Sequence, residues 1–249
     1  MGKKIAIITG ASSGIGREFV KQLDRCTKTL DEVWVIARRE ERLLALQDEV
    51  KNLSLKVLPL DVCKESDSCF LEELLKSESP SVRLFVNAAG IGKAGRFDEL
   101  TRDEVSYIVE LNDLAMVSLT RMILPFMSKK SNILLLASAS AFTPQKEFAV
   151  YAASKAFVLN FARALHAEVK EKGIIVTAVC PGPVDTEFLE ISNGGKKQKP
   201  LKRLVTVRPR PVVEKALRDA KKGKEISIYG LPMNVVFIAA KLLPHRLFL

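Results

Sequence analysis

Histidine is almost missing from this chain: His166 and His245 are the only two. The first falls inside a stretch that reads as helix, the second in the C-terminal tail. A Ser-His-Asp hydrolase needs an imidazole beside its nucleophile, and neither position supplies one at a strand end. The four cysteines, Cys26, Cys63, Cys69 and Cys180, are scattered. They have no metal-ligand spacing, and without a visible signal segment they read as reduced thiols of a cytoplasmic protein. Long apolar runs are missing too. None reaches the roughly 18–20 residues of a membrane-spanning helix, and Ile5-Ala6-Ile7-Ile8 is too short for a secretory core.

Acidic residues are in deficit. Lysine and arginine number 39 against 29 aspartates and glutamates, a formal net charge of +10. Part of the excess lies in Lys196, Lys197, Lys199, Lys202, Arg203, Arg208 and Arg210. No aromatics interleave with it and no nucleic-acid module accompanies it, so nucleic acid is not an expected partner. A solvated loop and attraction to an anionic carrier, substrate or membrane surface both stay open.

What the chain does have is strand and helix patterns in alternation. Strands are expected at Lys4–Thr9, Val33–Ala37, Lys56–Leu60, Leu84–Val86, Asn132–Ala137, Ile174–Cys180 and Glu225–Ile228. Helices are expected at Ile15–Cys26, Glu40–Lys51, Glu65–Ser77, Arg102–Val109, Asp113–Met127, Tyr151–Lys172, Pro211–Lys222 and Leu231–Leu243. Uninterrupted apolar strands alternating with helices imply a parallel sheet covered on both faces. The expectation is one α/β domain over residues 1–249: a Rossmann-type, doubly wound parallel sheet of about seven strands with helices on both faces. Glu187–Arg210 breaks the alternation and reads as a lid or a plain mobile loop within that domain.

Ligands of such a sheet bind beyond the carboxyl ends of its strands, and the chemistry-bearing residues cluster there. Gly10, Gly14 and Gly16, with Ser12, Ser13 and Ile15 between them, form a glycine-rich turn after the first strand. Such a turn lets backbone approach a phosphate, and the helix behind it offers free N–H groups. After the second strand come Ala37-Arg38-Arg39, with no acid before Glu40. A basic residue there suits a 2′-phosphate, so NADP(H) is expected over NAD(H). Arg17, just past the turn, is a further basic candidate. Tyr151 and Lys155 stand four residues apart and share a helix face. An ammonium beside a phenol favours the phenolate, which suits proton exchange with a substrate oxygen near neutral pH.

With Asp61-Val62, Asn87-Ala88-Ala89-Gly90, Asn112, Ser138 and Pro181-Gly182 added in order, the chain resembles the short-chain dehydrogenase/reductase family over nearly its whole length. The resemblance implies that Tyr151 is the general acid in reduction and base in oxidation, and that Lys155 lowers its pKa and binds the nicotinamide ribose. Ser138 would hydrogen-bond the substrate oxygen, with Ser140 a misplaced rival, and Asn112 would hold a relay water. Asp61 and Val62 would meet the adenine, Asn87 the adenosine side and Thr186 the nicotinamide carboxamide, with Ala88, Ala89, Gly90, Pro181, Gly182 and Val184 also binding the cofactor. The implied activity is NADP(H)-dependent interconversion of an apolar ketone and a secondary alcohol, hydroxysteroid-like. Alternatives are a 3-oxoacyl-thioester or small-carbonyl reductase, or a non-catalytic nucleotide sensor. Phe142, Phe148, Phe188 and Leu189 are candidates for an apolar pocket. The uniformly apolar Leu231–Leu243 needs cover on more than one side. That cover would be the chain's own substrate pocket plus a second subunit, in a homodimer or homotetramer; peripheral membrane contact through this helix and full burial against its own sheet are the rivals.

Overall fold

The computed structural model describes residues 2–26, 29–192 and 205–248. Among these, strands β1 (Lys4–Thr9), β2 (Glu32–Ile36), β3 (Leu55–Leu58), β4 (Ser81–Asn87), β5 (Met127–Leu136), β6 (Ile175–Val179) and β7 (Ile226–Ser227) form one sheet. Its order is β3-β2-β1-β4-β5-β6-β7, and every neighbouring pair is parallel. The helices are α1 (Gly14–Cys26), α2 (Glu40–Glu49), α3 (Glu65–Glu78), α4 (Arg102–Val109), α5 (Ala115–Ile123), α6 (Ala149–Val169), α7 (Glu187–Ser192), α8 (Pro209–Lys221) and α9 (Leu231–Leu242). The expected doubly wound α/β domain is the one observed.

Period-two alternation along the strands divides the core in two. On one face Ile5, Ile7, Trp34, Phe85 and Ile133 pack with Leu75 of α3, Leu119 of α5 and Val158 of α6. On the other, Ala6, Ile8, Val33, Val35 and Val86 pack with Phe19 of α1, Leu43 of α2 and Val213 of α8. Most of these side chains are wholly buried, and each large one contributes about 1.5–3 kcal/mol of burial. The two layers fix where the strand ends lie.

Differences from the sequence reading fall where polar residues hide a regular element. β5 begins at Met127 rather than Asn132. Its first part, Ser128-Lys129-Lys130, carries no apolar signal because its side chains are exposed, and Lys130 takes φ +72°. The Ser131 hydroxyl closes this irregular stretch by donating to the Val82 carbonyl at 2.9 Å. The gap expected between the fourth and fifth helices is instead a π-turn, Glu110–Leu114, continuous with α4 and α5. The Ala115 N–H reaches back to the Glu110 carbonyl across it. Of the segment Glu187–Arg210, the structure describes α7, which follows Pro181–Thr186 directly, and the start of α8; residues 193–204 lie outside the described residues.

Candidate active site

Strand order reverses between β1 and β4, since β1 leads through α1 to β2 on one side while the chain returns through β4 on the other. The crevice at such a point is where this architecture takes ligands. Here it opens into a cleft of about 1120 Å³. Gly10, Ser12, Ser13, Gly14, Ile15, Gly16, Arg38, Arg39, Asp61, Val62, Ala88, Ala89 and Gly90 line one half, and Ser138, Tyr151, Lys155, Pro181, Gly182, Val184 and Thr186 the other.

The floor is held by one hydroxyl. Thr9 Oγ1 accepts from the N–H groups of Ala88 and Ala89, both at 3.1 Å, and donates to Asn87 Oδ1 at 3.2 Å. Asn87 is therefore buried behind the lining rather than on it. Its Nδ2 is buried and meets no partner among the described residues. Gly10 has φ +65°, and a Cβ there would lie 2.8 Å from the Ala88 backbone. A Cβ on Gly16 would lie 2.3 Å from the Gly10 carbonyl oxygen. The turn and the start of α1 are thus packed to contact, with room only for bare backbone. A cradle of this kind, ended by a helix N-terminus, fits a pyrophosphate.

The arginines are arranged differently from one another. Arg39 lies over the glycine turn, donating to Ser12 Oγ at 3.2 Å and Ser13 Oγ at 3.1 Å. Its two terminal nitrogens also fork onto Glu187 of α7, at 2.9 and 3.0 Å. Arg42 donates to the same carboxylate at 2.7 Å. Those two guanidiniums hold the Glu187 carboxyl down to about 2. Arg38 donates to the Tyr107 hydroxyl at 2.7 Å and lies 3.9 Å from the Asp61 carboxylate. Arg17 departs from expectation: it is drawn to Glu49 at the end of α2, which Lys21 also engages at 2.7 Å. An acid across the helix pair captures it, and it does not line the cleft.

At the other end, Tyr151 and Lys155 project from the first turns of α6. The Tyr151 ring is stacked on Phe148, centroids 4.3 Å apart, and meets Phe188 of α7 at 5.5 Å. A Cβ on Gly92 would come within 3.0 Å of all three rings, so the loop after β4 closes over them only as glycine. Leu189 also lines the cleft. Phe142 does not; it is buried against Phe237, centroids 4.9 Å apart, and belongs to the core.

Burial dominates the protonation of this pair. It pushes Tyr151 up to about 12, against a hydrogen bond from Ser138 that lowers it. Lys155 donates to the Leu136 carbonyl at 2.9 Å, and its nitrogen stands 5.7 Å from the Tyr151 ring centroid. Burial lowers it to about 8, with Asp113 and Cys180 acting the other way. The lowered phenol expected from the sequence is therefore not what this arrangement gives: desolvation outweighs a lysine whose hydrogen bond goes elsewhere. Ser138 is buried beside the phenol, while its own oxygen accepts from the Ser140 N–H at 3.1 Å.

Asn112 sits in the π-turn and is buried. Its Oδ1 accepts from the Ile91 N–H, and its Nδ2 donates to the Ile91 carbonyl and Ser154 Oγ, all at 2.9 Å. A Cβ on Gly90 would be 3.0 Å from Asn112 Oδ1 and 3.3 Å from Lys155 Nζ, so the two side chains flank the same glycine. Sequence reasoning missed Glu187, Tyr107 and Gly92, while Met233 and Val236 of α9 line the cleft. Each acts across a long stretch of chain, which no local pattern announces.

Residues 4–196 match the family model described as short chain dehydrogenase. The chain belongs to the short-chain dehydrogenase/reductase family. It is 30% identical over 202 residues to an uncharacterized oxidoreductase of Staphylococcus epidermidis, covering 79% of this chain and 85% of that one. It is 31% identical over 198 residues to a very-long-chain 3-oxoacyl-CoA reductase of Anas platyrhynchos, covering 75% of this chain and 62% of that one. Among solved structures, a short-chain dehydrogenase of Sphingobium yanoikuyae in complex with NADPH shares the fold, with TM-score 0.81 and 24% identity over 98% of this chain and 95% of that one. Family membership makes the chain an oxidoreductase of alcohols and ketones. Among the described residues no group of three or more His, Cys, Asp and Glu is placed to hold a metal ion.

Proposed function

We propose that the chain is an NADP(H)-dependent oxidoreductase interconverting a ketone and a secondary alcohol on an apolar, hydroxysteroid-like substrate, with Tyr151 as general acid and base. The observation that carries this is the Tyr151 hydroxyl: buried at the end of the cleft, hydrogen-bonded to Ser138, and walled by Phe148 and Phe188. The cofactor, when bound, supplies or accepts hydride. Gly10 to Gly16 would hold its pyrophosphate, Arg38 and Arg39 its 2′-phosphate, Asp61 and Val62 its adenine, and Lys155, Val184 and Thr186 its nicotinamide end.

The residues then have distinct tasks. Carbonyl reduction builds negative charge on oxygen, and the Ser138 and Tyr151 hydroxyls are two donors for it. A phenol held near 12 is fully protonated at neutral pH and can give its proton as that charge develops. The nearby ammonium of Lys155 favours the phenolate left behind. Asn112 is held by Ile91 and Ser154 and flanks Gly90 together with Lys155, where a relay water would be held. The aromatic walls exclude bulk water and favour an apolar guest.

A second reading, a 3-oxoacyl-thioester reductase, is favoured by the likeness to the Anas platyrhynchos enzyme and by basic Lys146 and Arg96 in the lining of the cleft. We also propose a homodimer or homotetramer. Val109, Leu114 and Phe157 are exposed on α4, the π-turn and α6, which pack against one another. A cofactor-consumption screen across steroid ketones, 3-oxoacyl thioesters and simple ketones tests the activity. Steroid turnover with NADPH supports the first reading and thioester turnover the second; no turnover with any class of ketone refutes both.

A further inference from the structure

One face of α9 is accounted for and the other is not. Met233 and Val236 line the cleft, Met233 resting on Gly182 and Phe237 on Phe142. On the opposite side Leu231, Val235, Ile238 and Leu242 recur at helical spacing, each between 56% and 78% exposed. Leu247 continues this apolar surface beyond the helix, 65% exposed. Large unpartnered apolar stripes mark contact with another macromolecule or a membrane.

The charges around the stripe choose between occupants. Residues 231–249 contain no aspartate or glutamate, while Lys241, His245 and Arg246 lie among the apolar residues. Two copies joined along this stripe would bring like charges together with no acid from the segment to pair them. A surface of anionic headgroups complements them instead, and the chain's net charge of +10 acts in the same direction. No described helix is long and apolar enough to cross a membrane, so the contact is one that lies in the interface plane.

We propose that α9 docks the protein on anionic lipid surfaces through Leu231, Val235, Ile238 and Leu242, with Lys241 and Arg246 on the headgroups. The same helix separates lipid from cleft, so an apolar guest leaving the bilayer meets Met233 and Val236 within one helix diameter. For the nature of that guest the inference rests on the proposed function; the docking itself does not.

The test is co-sedimentation of the full-length chain with vesicles of phosphatidylcholine containing about one third phosphatidylglycerol. Binding to these, weaker binding to pure phosphatidylcholine, and at least about a tenfold loss in I238S/L242S are expected. K241A/R246A weakens binding and flattens its salt dependence. If the unmodified chain stays in the supernatant with anionic vesicles, the proposal is overturned. It is equally overturned if, without lipid, sedimentation velocity shows I238S/L242S falling from a dimer to a monomer, since a second copy then owns the stripe. Turnover of a water-soluble ketone is followed in parallel. Its absence with vesicle binding intact rejects the catalytic reading and leaves the docking surface standing.

Discussion

Arg39 and Glu187 face each other across the mouth of the cofactor cleft and are joined by two parallel hydrogen bonds, at 2.9 and 3.0 Å. The pair links the end of β2 to α7, and its carboxylate occupies guanidinium donors that a phosphate would use. Glu187→Gln therefore tightens NADPH binding. Both side chains are about one-third exposed, so the pair is worth about 1 kcal/mol, and the gain is roughly fivefold in Kd. A fluorescence titration at low salt measures it. Unchanged Kd would show that the phosphate and Glu187 do not compete.

Arg38→Asp removes one candidate phosphate contact and adds a like charge. NADPH affinity falls by at least about tenfold, while NADH, lacking that phosphate, is affected much less. Parallel titrations with the two cofactors decide the matter. An equal loss for both would assign Arg38 to holding Tyr107 and Asp61 instead.

Tyr151→Phe removes an exchangeable proton and little volume. Turnover falls by about 100-fold or more, while cofactor affinity and melting temperature hold. Single-turnover reduction of the best ketone from the screen reads this directly, and near-normal rates would remove Tyr151 from the mechanism.

Lys155 offers a sign test. Its folded pKa, about 8, lies below the ordinary 10.5, so the unfolded chain holds the extra proton between those values. Stability contributed by this group is present above pH 10.5 and is lost as pH falls through 8. The burial cost at neutral pH is about 3 kcal/mol, against about 1 kcal/mol for its bond to the Leu136 carbonyl. Lys155→Met thus melts no lower than the parent at pH 7, loses turnover, and forfeits its thermal advantage as the parent is titrated to pH 10.5. A variant that melts well below the parent at pH 7 would contradict this ordering.

How much of this was legible in the sequence depends on the distance over which the signal acts. The strands announced themselves because apolar residues such as Ile5 to Ile8 serve both cores at once. The glycine turn, Ser138, Tyr151 and Lys155 were legible because each follows a strand or shares a helix face. Arg17 was misplaced because its partner, Glu49, lies on another helix. The phenol's environment was misjudged because desolvation by Phe148 and Phe188 is a property of the assembled cleft. Glu187 carried no local mark at all; its role exists only once α7 meets the end of β2.

The π-turn at Glu110–Leu114 holds one residue more than an α-helix of the same rise. Each helical residue turns the chain by about 100°. A single deletion here would leave a regular helix and lose nothing in local hydrogen bonding. The wide turn absorbs the extra residue, so α4 and α5 keep their phase without it, and Ala115, Leu119 and Ile123 stay on the sheet. What the deletion moves is the turn itself, where Asn112 meets Ile91 and Ser154. A single-residue deletion here therefore spares the packing of both helices and costs the placement of Asn112.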